Sequence, residues 1–235
     1  MSQECNIKCV FPSRVPREGL ACLPLSSYSG KVVLVETDAD AVAAVQQILR
    51  EKVLGFDTES RPSFKRSQNF PVSIIQLCGE NCVWIFRLAN LKDSFPAVFS
   101  IFEDPHIRKV GVAVNGDISG LRKLREFTPA GFEDISDKTR KIGIVNTGLR
   151  NLSAVFLGYR ISKSAQMSNW AAETLTAKQL TYAATDAWIS RELYLVVHKI
   201  YSEKRYGIEP DAPAPQARGK GRQGIVARFF KMLRG

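Results

Sequence analysis

The sequence predicts a mixed α/β fold, on three observations. Apolar runs suited to strands follow one another closely at 53–57, 72–78 and 82–86. Strand-like and helix-like patterns then alternate, and two later stretches, 148–157 and 176–203, carry a helical period. Closely spaced strands form an antiparallel meander. Alternation after it adds parallel strands, giving a mixed sheet with helices packed on its faces.

Taken in order, the first thirty residues are rich in Pro, Ser and Gly without a sustained period, so 1–30 is expected to be an irregular arm. Val32-Val33-Leu34-Val35 suits a strand. Thr37 then caps a helix to about Arg50, with Ala41, Val42, Val45, Ile48 and Leu49 on one stripe. Gly79-Glu80-Asn81 reads as the hairpin turn between the second and third runs. A helix over 95–102, a strand over 109–114 and a helix over 117–126 follow. The last long helix opens with Thr176 and Gln179 at capping-box spacing and is expected to end at Gly207. Pro210, Pro213 and Pro215 then make a semi-rigid spacer before a basic segment with Arg218, Lys220, Arg222, Arg228, Lys231 and Arg234. The expected organisation is thus an arm over 1–30, one domain over 31–207 and a basic tail over 208–235. The tail reads equally as a nucleic-acid or partner contact and as a solvated end.

In 235 residues, 45% hydrophobic and 24% charged side chains are ordinary values for a folded protein. No run approaches the roughly 18 apolar residues that span a bilayer, and Met1 to Cys9 lacks the features of an export signal. No membrane partner is expected, and a cytoplasmic location, or a nuclear one in a eukaryote, follows. A net charge of +10 suits a polyanionic partner. Five cysteines make a disulfide framework improbable in such a chain. Cys5/Cys9 and Cys78/Cys82 have a spacing compatible with zinc were the pairs to meet, but the hairpin reading makes the second pair small buried hydrophobes on adjacent strands.

Four acids stand where apolar segments end or pack. Asp57 and Glu59 follow Val53-Leu54-Gly55-Phe56, and extended geometry would project both from one face. Like charges that close require compensation, and a hard cation such as Mg²⁺, bound through carboxylates and substrate phosphate, supplies it. Asp117 follows the apolar run 110–114 and, taken alone, reads as a helix cap. Tyr182 and Asp186 are one helical turn apart among alanines, where an unpaired aspartate would carry a desolvation penalty.

Phe56-Asp57-Thr58-Glu59, Asn115-Gly116-Asp117 leading to Leu121, and Tyr182 with Asp186 resemble the three exonuclease motifs of the DEDD superfamily in its tyrosine-bearing branch. The resemblance runs from about Val32 to Ile200 and includes Ser73-Ile74-Ile75-Gln76-Leu77-Cys78 and Ser168-Asn169-Trp170. Its nearest likeness is to the exonuclease domain of the Werner-syndrome helicase and its stand-alone relatives, with ribonuclease D more distant. The histidine branch would place its base at position 181, which is Thr181, and His106 and His198 match nothing.

The resemblance implies a ribonuclease-H-like fold and a 3′→5′ exonuclease that releases nucleoside monophosphates, DNA ahead of RNA, from single-stranded or recessed 3′ ends. It implies two divalent cations, Mg²⁺ or Mn²⁺, held by Asp57, Glu59, Asp117 and Asp186. Asp57 would bridge them, Glu59 and Asp186 would complete the water-holding site, Asp117 would serve the second ion, and Tyr182 would orient the attacking water. A phenol with an ordinary pKa near ~10 is a poor base at neutral pH. Phe56, Trp170 and Trp188 are candidates for base stacking or for the core, and Lys65, Arg66 and Lys163 for phosphate contact or solvent. The rival readings are a catalytically inactive nucleic-acid or partner-binding module and an endonuclease on the same scaffold.

Overall fold

Burial on both faces of one sheet organises the larger part of the chain. The computed structural model describes residues 9–63, 68–204 and 206–209. In chain order these form β1 (Cys9–Pro12), α1 (Arg17–Cys22), β2 (Lys31–Val35), α2 (Asp38–Ile48), β3 (Val53–Ser60), β4 (Val72–Cys78), β5 (Cys82–Arg87), α3 (Phe95–Glu103), β6 (Arg108–Gly111), α4 (Val114–Arg122), β7 (Phe132–Asp134), α5 (Ile135–Ile142), α6 (Leu149–Leu152), α7 (Ala177–Ser202) and β8 (Tyr206–Glu209). A 3-10 turn lies at Leu88–Asn90 and a π-helical turn at Ser153–Leu157.

The chain divides into two compact units. One comprises Ser27–Ile135 and Ser162–Tyr194 and holds a six-stranded sheet in the order β2-β5-β4-β3-β6-β7. β3, β4 and β5 are antiparallel neighbours, whereas β2 runs parallel to β5, and β6 runs parallel to both β3 and β7. The meander and the parallel strands expected of the sequence are both present. Alternation along each strand assigns its two faces. Leu54, Phe56, Ile75, Leu77, Trp84 and Phe86 share one core with Ala41, Val45 and Ile48 of α2 and Phe99 and Phe102 of α3. Ile74, Cys78, Val83 and Ile85 share the other with Trp170 and with Ala183, Ala184 and Ala187 of α7. Strands covered on both sides read as near-continuous apolar runs, which is how β5 looks up to Arg87, while β4 is interrupted by Ser73 and Gln76.

Local signals act as the sequence suggested. The Asp40 amide donates to the Thr37 hydroxyl at 3.1 Å, capping α2. Thr176 and Gln179 form the reciprocal box that opens α7, with the Gln179 amide donating to Thr176 Oγ1 and the Thr176 amide to Gln179 Oε1. Cys78 and Cys82 are buried on the two hairpin strands, and the Gly79 amide closes the turn onto the Cys82 carbonyl. Cys5 lies outside the described residues, as do Lys65, Arg66 and the spacer and basic tail over 210–235.

The other unit gathers the described residues of Met1–Ser26, Ser136–Ile161 and Leu195–Gly235. β1 pairs in parallel with β8, Cys9 with Tyr206 through Pro12 with Glu209. Phe11 rests on Phe156 at 4.8 Å between ring centroids. Asn151 fastens this unit, accepting from the Val15 amide and donating to the Asn146 carbonyl.

Three expectations are corrected. The supposedly irregular residues 1–30 contain β1 and α1, because a four-residue strand ending in Pro shows no period and its partner lies at the far end of the described chain. The last helix stops at Ser202 rather than Gly207: Lys204 turns the backbone at φ 54°, and Gly207 belongs to β8. β6 ends at Gly111 and α4 starts at Val114, so Asp117 stands in the first turn rather than at the cap. At its last residue β6 lies close to β3, since a Cβ on Gly111 would lie 2.6 Å from the Phe56 carbonyl oxygen. The chain then leaves the sheet through Ala113 at φ 60°. Among the described residues, no helix is long and apolar enough to cross a membrane.

Candidate metal centre

β3 outruns its parallel neighbour. It pairs with β6 only over Val53 to Gly55, while its pairing with β4 continues to Ser60. From Phe56 onward one edge of β3 is therefore open, at the carboxyl ends of two parallel strands, where open α/β sheets place their ligands. Asp57 and Glu59 point from this stretch toward the face covered by α7. α7 lies against Gly55, with Ala187 and Arg191 in closest approach. Asp186, next to Ala187, is thereby brought to the same place. One carboxylate oxygen from each of Asp57, Glu59 and Asp186 lies within 4.8 Å of the other two.

Asp117 arrives from the opposite face, because Val114 and Leu121 of α4 pack in the core that contains Phe56. Thr58 alternates with Asp57 and Glu59 and so faces that side. Its hydroxyl donates to Asp117 Oδ1 at 2.5 Å. The structure thus gathers three of the four expected acids as one set and seats the fourth beside them on Thr58. Asp134 supports this arm: its Oδ1 accepts from the Ala113 amide at 3.2 Å, in the left-handed turn that opens α4. Thr58 and Asp134 were missed from sequence. Thr58 could have been found as the residue between two acids on a strand, whereas nothing local marks Asp134.

Crowded like charges and burial hold protons on these groups. Burial, then Asp186, Asp117 and Glu59 in turn, raise Asp57 well above the usual carboxylate range. Burial and the same two aspartates push Glu59 up to about 8. Burial raises Asp186 to about 7 against the opposing hydrogen bond from Tyr182, and Asp117 to about 6 against the one from Thr58. Tyr182 is pushed up as well, by burial first and then by Asp186 and Glu59, so its phenol stays protonated. Among the described residues, no Lys, Arg or His forms an ion pair with Asp57, Glu59 or Asp186. Oxygen-only donors that lack a counter-charge are the ligand set of a hard divalent cation such as Mg²⁺ or Mn²⁺, and not of a thiol-preferring metal.

Gln76 completes the setting. It stands directly across from Asp57 in the ladder, is fully buried, and neither amide atom has a hydrogen-bond partner among the described residues. The aromatic candidates are packed instead. Phe56 and Trp170 are each 1% exposed, which removes them as stacking platforms, and Trp188 is half-buried against Tyr28. Trp170 packs on the Tyr182 ring at 5.9 Å. Lys163 is exposed, His106 sits exposed in a turn, and His198 lies 3.1 Å from Lys138 Nζ.

Residues 32–200 match the family model described as 3′-5′ exonuclease. The chain belongs to the 3′-5′ exonuclease family. Its exonuclease domain is 28% identical over 181 residues to the mouse bifunctional 3′-5′ exonuclease/ATP-dependent helicase WRN, covering 73% of this chain and 13% of that protein. It is 30% identical over 193 residues to a 3′-5′ exonuclease of Drosophila sechellia, covering 73% of this chain and 53% of the fly protein. Among solved structures, the Aedes aegypti Nibbler EXO domain superposes with a TM-score of 0.67 at 25% identity, over 75% of this chain and 91% of that one. The DEDD resemblance and the ribonuclease-H-like fold both hold for this exonuclease domain. The chain spans about half or less of the length of these two curated relatives.

Proposed function

We propose that this domain hydrolyses nucleic acid from the 3′ end, releasing one nucleoside monophosphate at a time. Two divalent cations, Mg²⁺ or Mn²⁺, would be held by Asp57, Glu59, Asp117 and Asp186. The observation that carries this reading is the convergence of Asp57, Glu59 and Asp186 oxygens within 4.8 Å without a counter-charge. When bound, divalent ions lower the pKa of water and offset charge on the leaving oxygen in an in-line displacement at phosphorus.

The chain's own residues supply the rest. Asp57, whose carboxyl feels Asp186, Asp117 and Glu59 in turn, would be the ligand shared between the ions. Glu59 and Asp186 would complete the site that holds the attacking water, and Asp117, oriented by Thr58 from the other face of the sheet, would serve the second ion. Tyr182 keeps its proton, so it positions water by a hydrogen bond and does not abstract a proton. A strand terminus would enter along the edge of β3 that β6 leaves unpaired beyond Gly55. DNA ahead of RNA is the preference that the motif resemblance implies.

The test is degradation of a 5′-labelled oligonucleotide in Mg²⁺ or Mn²⁺ against EDTA. Stepwise shortening from the 3′ end is expected, absent in EDTA and in Asp57→Ala, with a circular strand left intact. Shortening that persists in Asp57→Ala would overturn the assignment. Matched DNA and RNA strands, single and recessed, decide the preference.

A further inference from the structure

Residues 163–175, the approach to α7, form turns and bends with neither helix nor strand. A segment of that kind has no ladder to satisfy its backbone, so side chains must help. Two of them do, one on either side of Trp170. Gln179 Nε2 of α7 donates to the Asn169 carbonyl at 3.2 Å. From the sheet, Arg87 donates through Nη1 to the Glu173 carbonyl at 2.6 Å and through Nη2 to the Ala172 carbonyl. Trp170, 1% exposed, is bracketed by these anchors and packs on the Tyr182 ring at 5.9 Å.

Arg87 ends β5 and is buried. Ile74 stands across from Glu59 on one side and from Arg87 on the other, so the three form one row over β3, β4 and β5 and share the face that α7 covers. Two strand spacings, about 10 Å, separate the Glu59 and Arg87 backbones. The charge is nonetheless not directed at the acids. Burial and two aspartates raise Glu59 with no offset from Arg87, whose ion pair is with Glu36 Oε1 at 2.8 Å. Burying a guanidinium is costly unless its N–H groups are matched. A half-exposed carboxylate such as Glu36 does not call for it, whereas two adjacent backbone carbonyls call for a planar fork, which Lys lacks.

We infer that Arg87 is a positioning residue: by holding the Ala172 and Glu173 carbonyls at the end of β5 it seats Trp170 against the Tyr182 ring, and so fixes the phenol that hydrogen-bonds Asp186. The inference rests on the proposed exonuclease activity, in which Tyr182 orients the attacking water. Arg87 acts on the acids only through this chain of contacts. Its loss frees the Tyr182 ring, while Asp57 and Glu59 on β3 and Asp186 on α7 keep their places. A small displacement of an orienting group lowers the rate of the bound complex and leaves the binding of metal intact.

Two measurements test it, on Arg87→Lys, which keeps the charge beside Glu36 and loses the fork, and on Arg87→Ala. In the first, kcat on a single-stranded oligonucleotide in Mn²⁺ is expected to fall roughly ten- to a hundredfold in both variants, with KM and Mn²⁺ affinity unaltered. In a Tyr182→Phe background the same substitutions should cost almost nothing further, because the hydroxyl through which they act is gone. Equal losses in the two backgrounds would overturn the inference, as would a loss carried by KM or by Mn²⁺ affinity, or an unaltered kcat. The second is hydrogen exchange by mass spectrometry in EDTA. Exchange across 168–175 is expected to quicken while that of β3 stays as it was, and an unaltered rate across 168–175 would overturn the inference as well. Should Arg87→Ala fail to fold, Arg87→Lys carries both measurements. If the unmodified protein hydrolyses no strand, the nuclease reading fails by itself, and the exchange result still decides whether Arg87 holds the segment.

Discussion

Gly55 of β3 leaves no room for a side chain under α7: a Cβ there would overlap the carbonyl oxygen of Ala187 and lie 2.8 Å from the Arg191 amide nitrogen. This contact sets the height of the helix over the sheet, and with it the reach from Asp186 to Asp57. Gly55→Ala must push α7 outward, because the obstacle is backbone and cannot rotate away. Overpacking of this kind costs about 1–3 kcal/mol, and the same displacement opens the carboxylate set. The expected outcome is a lower urea midpoint together with at least a tenfold loss of Mn²⁺ affinity by calorimetry. A folded Gly55→Ala protein with undiminished Mn²⁺ affinity would show that this approach does not set the site.

Gln76 invites a different substitution. A buried amide with no partner costs about 1–3 kcal/mol, and orphaned groups of this kind in folded proteins call for an explanation such as an ordered water or ion. Its place across from Asp57 supplies one: once Asp57 is an anion bound to metal, the amide can donate toward it. Gln76→Met keeps the volume and deletes the polar atoms. Thermal unfolding in EDTA is expected at an equal or higher temperature than for the unaltered protein, while Mn²⁺ affinity falls several-fold. A drop in both would mean that the amide has a purely structural partner.

Thr58 orients Asp117, and the two lie on the face of the sheet opposite Glu59 and Asp186. Thr58→Val removes the donor that lowers the Asp117 carboxyl, so that group should titrate at higher pH. A hydrogen bond to a charged group contributes about 1.5–3 kcal/mol, which corresponds to a fall in kcat of roughly ten- to a hundredfold near neutrality. The rising limb of the pH–rate profile should move to higher pH, and Thr58→Ser should restore both. A Thr58→Val enzyme with an unshifted limb would remove Thr58 from any part in the chemistry.

Two pairs within the three-acid set were legible because their geometry is local, while the packing of α7 on Gly55 that joins them was implied only by the resemblance. Two acids two apart at the end of an apolar strand must share a face, and Tyr182 and Asp186 must share a helix face, whatever the rest of the chain does. Asp117 was legible as an acid after a strand but not as a separate arm, since its partner Thr58 lies on the other side of β3 and only the packed sheet shows which face α4 covers. The central strands declared themselves as apolar runs. β7 is three residues long and β1 four, too short for any period, and both exist because of partners distant in sequence. Phe56 and Trp170 left core and stacking open because apolar neighbours along a chain do not reveal burial in space.

Acids that share a cavity without a counter-charge make the metal-free protein sensitive to pH in an unusual direction. Glu59 is raised to about 8, Asp186 to about 7 and Asp117 to about 6, against reference values of 4.5 for Glu and 3.8 for Asp. Between those limits the folded state keeps protons that the unfolded chain releases. Stability changes with pH in proportion to protons bound by the unfolded state minus those bound by the folded state, and here that difference is negative. The contribution of these groups is therefore fully present below about pH 4 and lost as pH rises toward about 8. Divalent ions bind the deprotonated forms and stabilise the folded state by mass action, so excess Mg²⁺ or Mn²⁺ should cancel the loss. Unfolding temperatures in EDTA and in Mn²⁺ should nearly coincide at about pH 5 and separate steadily toward pH 8. Asp57→Asn, which removes one charge from the set, should flatten the EDTA curve and narrow the gap. Curves in EDTA and Mn²⁺ that stay superimposed up to pH 8 would mean that the four carboxylates do not bind the ion together.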